Sequence, residues 1–183
     1  MRITAGTMRG RRLRAPSGLE LRPTSDKVKE ALFNILSSQI EGATLLDLYA
    51  GTGGIGIDAL SRGAQNVVFV ENNKRHLQYL KKNIASISFE GKAEIFATAA
   101  TDFLRKAKKQ MRSFDIIFVD PPYQSSEIEK ILPMIQEGDM IVDQGLVVIE
   151  HFHKKTLPER VENLFSLKKY KYGETVLSFY AKK

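Results

Sequence analysis

The 183-residue chain contains no cysteine, which excludes disulfides and thiolate metal ligands and agrees with a reducing compartment. Long apolar runs are also missing, since none approaches the roughly 18 to 20 residues needed to span a bilayer. The first six residues lead into arginines rather than an apolar stretch, unlike a signal peptide. We therefore expect a cytoplasmic protein that neither enters a membrane nor binds a metal.

The excess positive charge lies at the two ends of the chain. Residues 1–30 hold eight Lys and Arg against three Asp and Glu, and residues 154–183 hold the same numbers. Six of the basic residues are arginines in the first two dozen positions: Arg2, Arg9, Arg11, Arg12, Arg14 and Arg22. Because each Lys or Arg placed on a phosphate releases a counterion, this distribution favours a polyanionic partner such as nucleic acid. Solvated surface charge is the alternative.

The length fits one domain with a basic extension. Residues 1–24 have little periodic apolar content, so we expect an arm or small hairpin outside the core. Residues 25–183 are expected to form a single domain. It opens with an amphipathic helix over about 25–38, for which Thr24 or Ser25 offers an N-cap.

From residue 43 onward, segments with strand and helix patterns alternate. Strands are predicted near 44–49, 66–70, 93–97, 114–119 and 145–150, and helices near 54–62, 73–86, 100–110 and 125–136. Strands apolar on both faces indicate a buried parallel sheet. Two further runs, 164–170 and 175–180, read as an antiparallel hairpin. The sequence therefore predicts a doubly wound α/β fold with a mostly parallel, seven-stranded sheet.

A glycine-rich turn follows the first of these strands. Gly51, Gly53 and Gly56 form GxGxxG, a pattern shared with nicotinamide and flavin enzymes. Asp47, at the end of the strand, can accept hydrogen bonds from turn amides or engage a cationic group on a ligand. Glu71 ends the next strand, where a carboxylate can take both hydroxyls of a ribose. We expect a nucleotide-like cofactor, with a negative charge that disfavours a pyrophosphate.

The fourth strand ends in the tetrapeptide Asp120-Pro121-Pro122-Tyr123. A carboxylate followed by two prolines makes a rigid polar loop, since proline fixes φ and cannot donate a competing N–H. Such a loop suits a planar amino group, and the tyrosine offers a face on which a base can stack. Together with the glycine turn, this indicates methyl transfer to a base.

These motifs carry a resemblance to a known family. DLYAGTGGIGIDALSRGA, then VVFVEN and FVDPPY, resemble a class I S-adenosylmethionine-dependent methyltransferase. More narrowly, RITAGTMRGRRL, LRPTSDKVKEALFNIL and YGETVLSFY resemble the bacterial RsmD family. That resemblance implies methylation of the exocyclic N2 of a guanine in small-subunit (16S) ribosomal RNA. The implied partner is this RNA or the assembling 30S particle, and from the charge distribution we expect the arginines of the arm and the C-terminal hairpin to bind it.

The resemblance also implies roles for individual residues. Asp47, Gly51 and Gly53 would lie along the methionine moiety of S-adenosylmethionine, with Glu71 on the ribose and Asn72 beside the adenine. The family commonly places an acidic residue near the adenine amino group, where this chain has alanine. Only the backbone around Ala99 and Ala100 could then serve the adenine. Independently of the resemblance, we expect the two N–H groups of a target amine to donate to the Asp120 carboxylate and the Pro121 carbonyl, with Pro122 and Tyr123 completing the loop.

Other functions are compatible with parts of this pattern. An adenine-N6 methyltransferase acting on DNA or RNA could use the same tetrapeptide. A ribosome-assembly protein could bind RNA on the same fold without catalysis. A nicotinamide-dependent oxidoreductase is disfavoured by Asp47 and by residues 120–123. His151 and His153 follow the fifth strand near the expected entry of substrate but lack the spacing of metal ligands.

Overall fold

In the computed structural model of the protein, residues 1–16, 24–87, 89–122 and 125–182 are described. The chain divides into two compact units, Met1–Thr98 and Ala99–Lys183. No helix in the described ranges is long and apolar enough to cross a membrane.

The first unit alternates helices and parallel strands. Its elements are α1 (Asp26–Leu36), β1 (Thr44–Asp47), α2 (Gly54–Ser61), β2 (Asn66–Glu71), α3 (Lys74–Ala85) and β3 (Ala93–Ala97), with 3₁₀ turns at Ser37–Gln39 and Glu90–Lys92. The central strand β2 pairs in parallel with β1 and β3. Its residues Val67 to Val70 are all fully buried, as expected for a strand covered on both faces.

The second unit joins a parallel pair to an antiparallel hairpin. Its elements are α4 (Ala100–Lys109), β4 (Phe114–Val119), α5 (Glu127–Glu137), β5 (Ile141–Phe152), β6 (Arg160–Val161), β7 (Leu164–Tyr172) and β8 (Thr175–Lys182). β5 pairs in parallel with β4 and antiparallel with β8, which pairs antiparallel with β7. The alternation of strands and helices, the parallel pairs and the hairpin agree with the predicted α/β fold.

The strand count differs from the prediction. The described residues form eight strands rather than seven, because Arg160 and Val161 pair with Phe165 and Leu164 as the short strand β6. Strands usually run for about 3 to 10 residues, so a two-residue strand leaves no alternating pattern to detect.

Helix α1 begins where the sequence allows, and its buried face includes a charged residue. Ser25 is the N-cap, and its hydroxyl accepts from the Val28 N–H. Ala31 is only partly buried, whereas Lys29 is completely buried. A buried lysine is tolerated only when its ammonium is paired and hydrogen-bonded.

Part of the N-terminal arm belongs to the core of the first unit. Arg2 and Arg12 form an antiparallel bridge, and Ile3 and Leu13 beside them are 0% and 6% exposed. The expectation that this stretch contributes nothing to the core is therefore wrong at these two positions. Their apolar side chains are isolated among polar neighbours, so no periodic pattern marks them as buried.

A buried charge cluster on α2 holds the arm in place. Asp58 Oδ2 accepts from the Thr4 N–H at 2.9 Å and from the Thr4 hydroxyl at 2.8 Å, and it lies 3.4 Å from Lys29 Nζ. Asp58 Oδ1 accepts from Arg62 Nε at 3.1 Å. Lys29 Nζ also donates to the Arg2 carbonyl at 2.5 Å. One carboxylate thus connects the arm, α1 and the helix that follows the glycine turn.

Replacing Asp58 with alanine should strongly destabilise the protein. The change leaves the Lys29 ammonium buried without its main counter-charge, a loss of about 3 to 5 kcal/mol in the free energy of unfolding. Asp102→Ala is the matched control, because Asp102 pairs with Arg105 on an exposed helix surface and should cost less than about 1 kcal/mol. Urea denaturation measures both values. Equal small losses would contradict the role given to Asp58.

Candidate active site

Two glycines of the turn are required by conformation and packing. Gly53 has φ 89°, in the left-handed region, and a Cβ there would lie 2.6 Å from Leu80 Cδ1. At Gly56 a Cβ would lie 2.3 Å from Cε1 of the Phe69 ring. Such distances are far inside van der Waals contact, so the turn sits directly on β2 and α3.

The Glu71 carboxylate holds the turn by its backbone. Its Oε2 accepts from the Gly51 N–H at 2.8 Å, and its Oε1 accepts from the N–H groups of Asn72 and Asn73 at 2.9 and 2.8 Å. His76 Nδ1 lies 3.6 Å from Oε2. A carboxylate has about four acceptor sites, so about one remains for a ligand. Binding both hydroxyls of a ribose would require exchange with one of the backbone donors.

Asp47 is the second carboxylate of the turn. It is 2% exposed, and its Oδ2 accepts from the Gly56 N–H at 3.1 Å. Asp47 was expected either to accept from a turn amide or to bind a cationic group of a ligand, and the structure shows the first of these interactions. Burial raises the pKa of Asp47 to about 7, against the lowering effect of the Gly56 bond and with a further rise from Glu71. The carboxyl therefore exchanges a proton near neutral pH.

Asn83, which the sequence reading missed, joins the arm to the glycine turn. Its Oδ1 accepts from the Arg14 N–H at 2.8 Å, and its Nδ2 donates to the carbonyls of Arg14 and Thr52, each at 2.9 Å. The available signal was a polar residue on the buried face of α3, beside Leu80 and Ile84. Such residues are buried only with partners.

The residues expected beside an adenine lie at two strand ends. Asn72 is exposed and follows β2. Ala99 is the N-cap of α4 and contributes no side-chain cap, and Ala100 is the buried first residue of that helix. The methyl side chains of Ala99 and Ala100 can supply only apolar contact, so hydrogen bonds at these two positions must come from the backbone.

The proline loop of the second unit follows β4 directly. Asp120 is partly buried, Pro121 is buried and Pro122 is exposed. The Pro122 carbonyl accepts from the Ser125 N–H at 2.9 Å and from the Ser125 hydroxyl at 2.7 Å. Ser125 in turn accepts at its carbonyl from Lys155 Nζ at 2.8 Å. These bonds anchor the C-terminal side of the loop, and β4 directly precedes it. Tyr123 lies outside the described residues.

The arginines of the arm are exposed where they are described, and Arg22 lies outside the described residues. Arg2 Nε donates to Asp26 Oδ2 at 3.0 Å. Within the described part of the chain, four arginines form no ion pair: Arg9, Arg11, Arg12 and Arg14. Exposed cations without acidic partners remain available to phosphates.

The turn is better suited to a cationic ligand than to a pyrophosphate. A dinucleotide turn needs free N–H groups to cradle the phosphates. Here the N–H groups of Gly51 and Gly56 are already bonded to the carboxylates of Glu71 and Asp47. The carboxylates also give the turn negative charge when ionised, which repels a pyrophosphate and attracts an ammonium or sulfonium group. The two carboxylates therefore suit the positively charged S-adenosylmethionine and disfavour a nicotinamide dinucleotide.

The fold is that of a class I S-adenosylmethionine-dependent methyltransferase, and relatives named as methyltransferases confirm the predicted enzyme class. The family described as "Conserved hypothetical protein 95" matches residues 1–181. The chain belongs to this family, which is the RsmD family that the motifs resemble.

Individual relatives agree along most of the chain. The Bacillus subtilis protein YlbH is 38% identical over 183 residues, covering 100% of both chains. The Haemophilus influenzae "Ribosomal RNA small subunit methyltransferase D" is 37% identical, covering 86% of this chain and 81% of the relative. Among solved structures, Escherichia coli yhhF has a TM-score of 0.88 at 33% identity and covers 100% and 98% of the two chains.

A more distant solved structure shares the fold. The Thermus thermophilus 16S rRNA N2 methyltransferase RsmC, solved with AdoMet and guanosine, has a TM-score of 0.71 at 21% identity. It covers 90% of this chain and 44% of its own.

The buried Asp47 should make stability depend on pH. Because its pKa is raised from 3.8 to about 7, the folded protein binds more protons than the unfolded chain between these values. The Asp47 contribution therefore lowers stability as pH rises through this window, by up to about 4 kcal/mol. Asp47→Asn removes this titrating group. As pH rises from 4 to 7, the variant should therefore become more stable relative to the wild type. Urea denaturation across this range measures the difference, and a constant difference would contradict the assignment.

Proposed function

We propose that this chain transfers a methyl group from S-adenosylmethionine to the exocyclic N2 of a guanine in small-subunit ribosomal RNA. The observation that carries the proposal is family membership over nearly the whole chain. Relatives 35% and 37% identical, from Escherichia coli and Haemophilus influenzae, are named small-subunit ribosomal RNA methyltransferases. Choosing guanine N2 rests on the family resemblance.

The first unit would hold the methyl donor. S-adenosylmethionine supplies an electrophilic methyl group on a sulfonium. Asp47 and the turn at Gly51 and Gly53 would lie along its methionine moiety, where an ionised Asp47 attracts positive charge. Glu71 would accept from a ribose hydroxyl, for which its carboxylate retains acceptor capacity. The adenine would rest beside Asn72.

The second unit would hold the target base at the proline loop. The lone pair of an exocyclic amine is conjugated with the purine ring, so the amine is a poor nucleophile. Acceptors for both of its N–H groups would localise that lone pair and aim it, and we assign them to the Asp120 carboxylate and the Pro121 carbonyl. The Pro122 carbonyl is bonded to Ser125, which supports a structural role for that residue. Tyr123 would stack on the extruded base.

RNA would be held by the basic arm, residues 1–24. Its described arginines project from a segment that Asp58 and Asn83 fix to the first unit. Exposed guanidinium groups on an ordered segment suit the phosphates of a folded RNA, because little arm entropy is lost on binding. The partner would be small-subunit ribosomal RNA or the assembling 30S particle, in the cytoplasm.

Replacing Asp120 should abolish turnover without abolishing binding. Asp120→Ala removes one of the two acceptors for the amine, and the loss of one such electrostatic contact typically slows catalysis about 10² to 10³-fold. Affinity for S-adenosylmethionine and for RNA should stay within about twofold. Asp143→Ala, an exposed position on β5, is the control and should retain full activity. Tritium transfer to RNA and calorimetric cofactor binding provide the measurements, and an active Asp120→Ala enzyme would refute the assignment.

Mass spectrometry of ribosomal RNA nucleosides tests the function itself. We expect N2-methylguanosine in small-subunit RNA to fall by one residue per particle in cells lacking the protein, and to return with the wild-type gene. Purified protein should methylate particles from the deficient cells in vitro. N6-methyladenosine in the product would favour the adenine alternative. No methylation, despite normal binding of cofactor and RNA, would favour a non-catalytic assembly protein.

A further inference from the structure

One face of the C-terminal hairpin carries a cluster of basic and polar side chains. His151 on β5 pairs with Val176 on β8, which pairs with Lys171 on β7. In the next row of that face, Ser178 pairs with Lys169. Because alternate residues of a strand share a face, Lys169 and Lys171 lie on the same side of the sheet. The face therefore presents two ammonium groups, a hydroxyl and an imidazole.

This face lines a cavity of about 280 Å³. Apart from two apolar side chains, its lining is basic or polar: His151, His153, Lys155, Thr156, Lys169 and Lys171. No acidic side chain of the described residues lines it. Pockets for drug-sized ligands hold roughly 300 to 1,000 Å³, so this cavity suits a smaller anionic group.

The lysines of the cavity retain donors for an anion. Lys155 Nζ bonds the Ser125 carbonyl and lies 3.0 Å from Glu129, and Lys169 Nζ lies 2.7 Å from Glu159. An ammonium has three N–H donors, so Lys169 keeps two, whereas Lys155 contacts both carboxylate oxygens of Glu129 and frees a donor when that pair opens. Lys171 forms no ion pair with any residue that the structure describes. The acidic partners are well exposed, so these pairs are weak and can yield to a ligand.

The imidazole of His151 reports the positive charge of the cavity. Its Nε2 lies 2.8 Å from the Ser178 hydroxyl, and its Nδ1 lies 3.0 Å from the Phe152 carbonyl. Burial lowers the pKa of His151, the bond to the Phe152 carbonyl opposes this effect, and the charges of Lys155 and Lys169 lower the pKa further. The neighbouring His153 has its own acidic partner, with Nδ1 3.4 Å from Glu174 Oε2. An anion that enters the cavity should raise the pKa of His151, because it offsets the two lysines.

The cavity lies beside the proline loop, within the same unit. Val119 pairs with Ile149, so Asp120 leaves β4 where β5 continues towards His151. The bond from Lys155 to the Ser125 carbonyl joins the cavity lining to the end of that loop. We propose that this cavity binds a backbone phosphate of the RNA, next to the nucleotide that the loop presents for methylation. The inference rests on the proposed function for the identity of the polyanion.

Removal of two cavity lysines tests the site. Lys169→Ala/Lys171→Ala should weaken binding of a short single-stranded RNA about tenfold. The slope of log K against log salt should fall by about 0.7 for the lost phosphate contact. The matched control is Lys154→Ala/Lys168→Ala. It removes two exposed lysines that directly precede the cavity residues Lys155 and Lys169 in sequence but do not line the cavity. It should weaken binding less than threefold. Equal losses in the two double variants would overturn the proposal.

Titration of His151 in the wild-type protein provides a second readout. We expect the RNA oligonucleotide to raise the pKa of the His151 imidazole, followed by NMR. Inorganic sulfate alone is the comparison. Like the phosphodiester of RNA, sulfate keeps a constant charge over the pH range in which an imidazole titrates, so any shift comes from the histidine. A response to sulfate without a response to RNA would identify a site for free anions and overturn the RNA proposal. No response to either would also overturn it.

The outcomes separate this inference from the proposed function. If RNA binds and shifts His151 but no methyl group is transferred, the phosphate site stands and the proposed activity fails. If the wild type methylates ribosomal RNA and Lys169→Ala/Lys171→Ala binds RNA as tightly as the control variant, the activity stands and the phosphate site fails. Calorimetric binding of S-adenosylmethionine should be unchanged in both double variants, which verifies that they are folded.

Discussion

The glycine turn depends on two carboxylates that accept hydrogen bonds from its backbone. Glu71 bonds the N–H of Gly51, and Asp47 bonds that of Gly56, so both ends of the turn are fixed to the ends of neighbouring strands. Because β1 and β2 pair in parallel, these side chains emerge at the same edge of the sheet. The same bonds that shape the turn also occupy two amides that a pyrophosphate could use. The shape of the turn and its poor fit to a pyrophosphate thus follow from the same two bonds.

The elements of this site could be predicted from sequence because their signals are local. The glycine turn directly follows the strand that ends at Asp47, the strand that ends at Glu71 comes after one helix, and apolar runs mark both strands. The proline loop at Asp120 was equally clear. In each case the residue pattern and the backbone requirement coincide at the same positions.

The interactions that secure the arm could not be predicted, since their partners are far apart in sequence. Lys29 and Asp58 are separated by 29 positions, and Asn83 and Arg14 by 69. A charged residue such as Lys29 is expected at the surface, and its burial is explained by partners distant in sequence, the Asp58 carboxylate and the Arg2 carbonyl. The basic cavity was missed for a similar reason, because sheet register brings together His151 and Lys171 from different strands.

The charge cluster around Asp58 also limits how this chain can diverge. A neutral residue at Asp58 leaves a lysine in a dry interior, and a neutral residue at Lys29 leaves a carboxylate there with fewer counter-charges. Neither single step is tolerated easily, whereas an apolar pair could fill the same space. Lineages that keep the arm anchored by this cluster should therefore retain both residues, and lineages that lose the cluster should replace both, so these two columns of a sequence alignment should vary together.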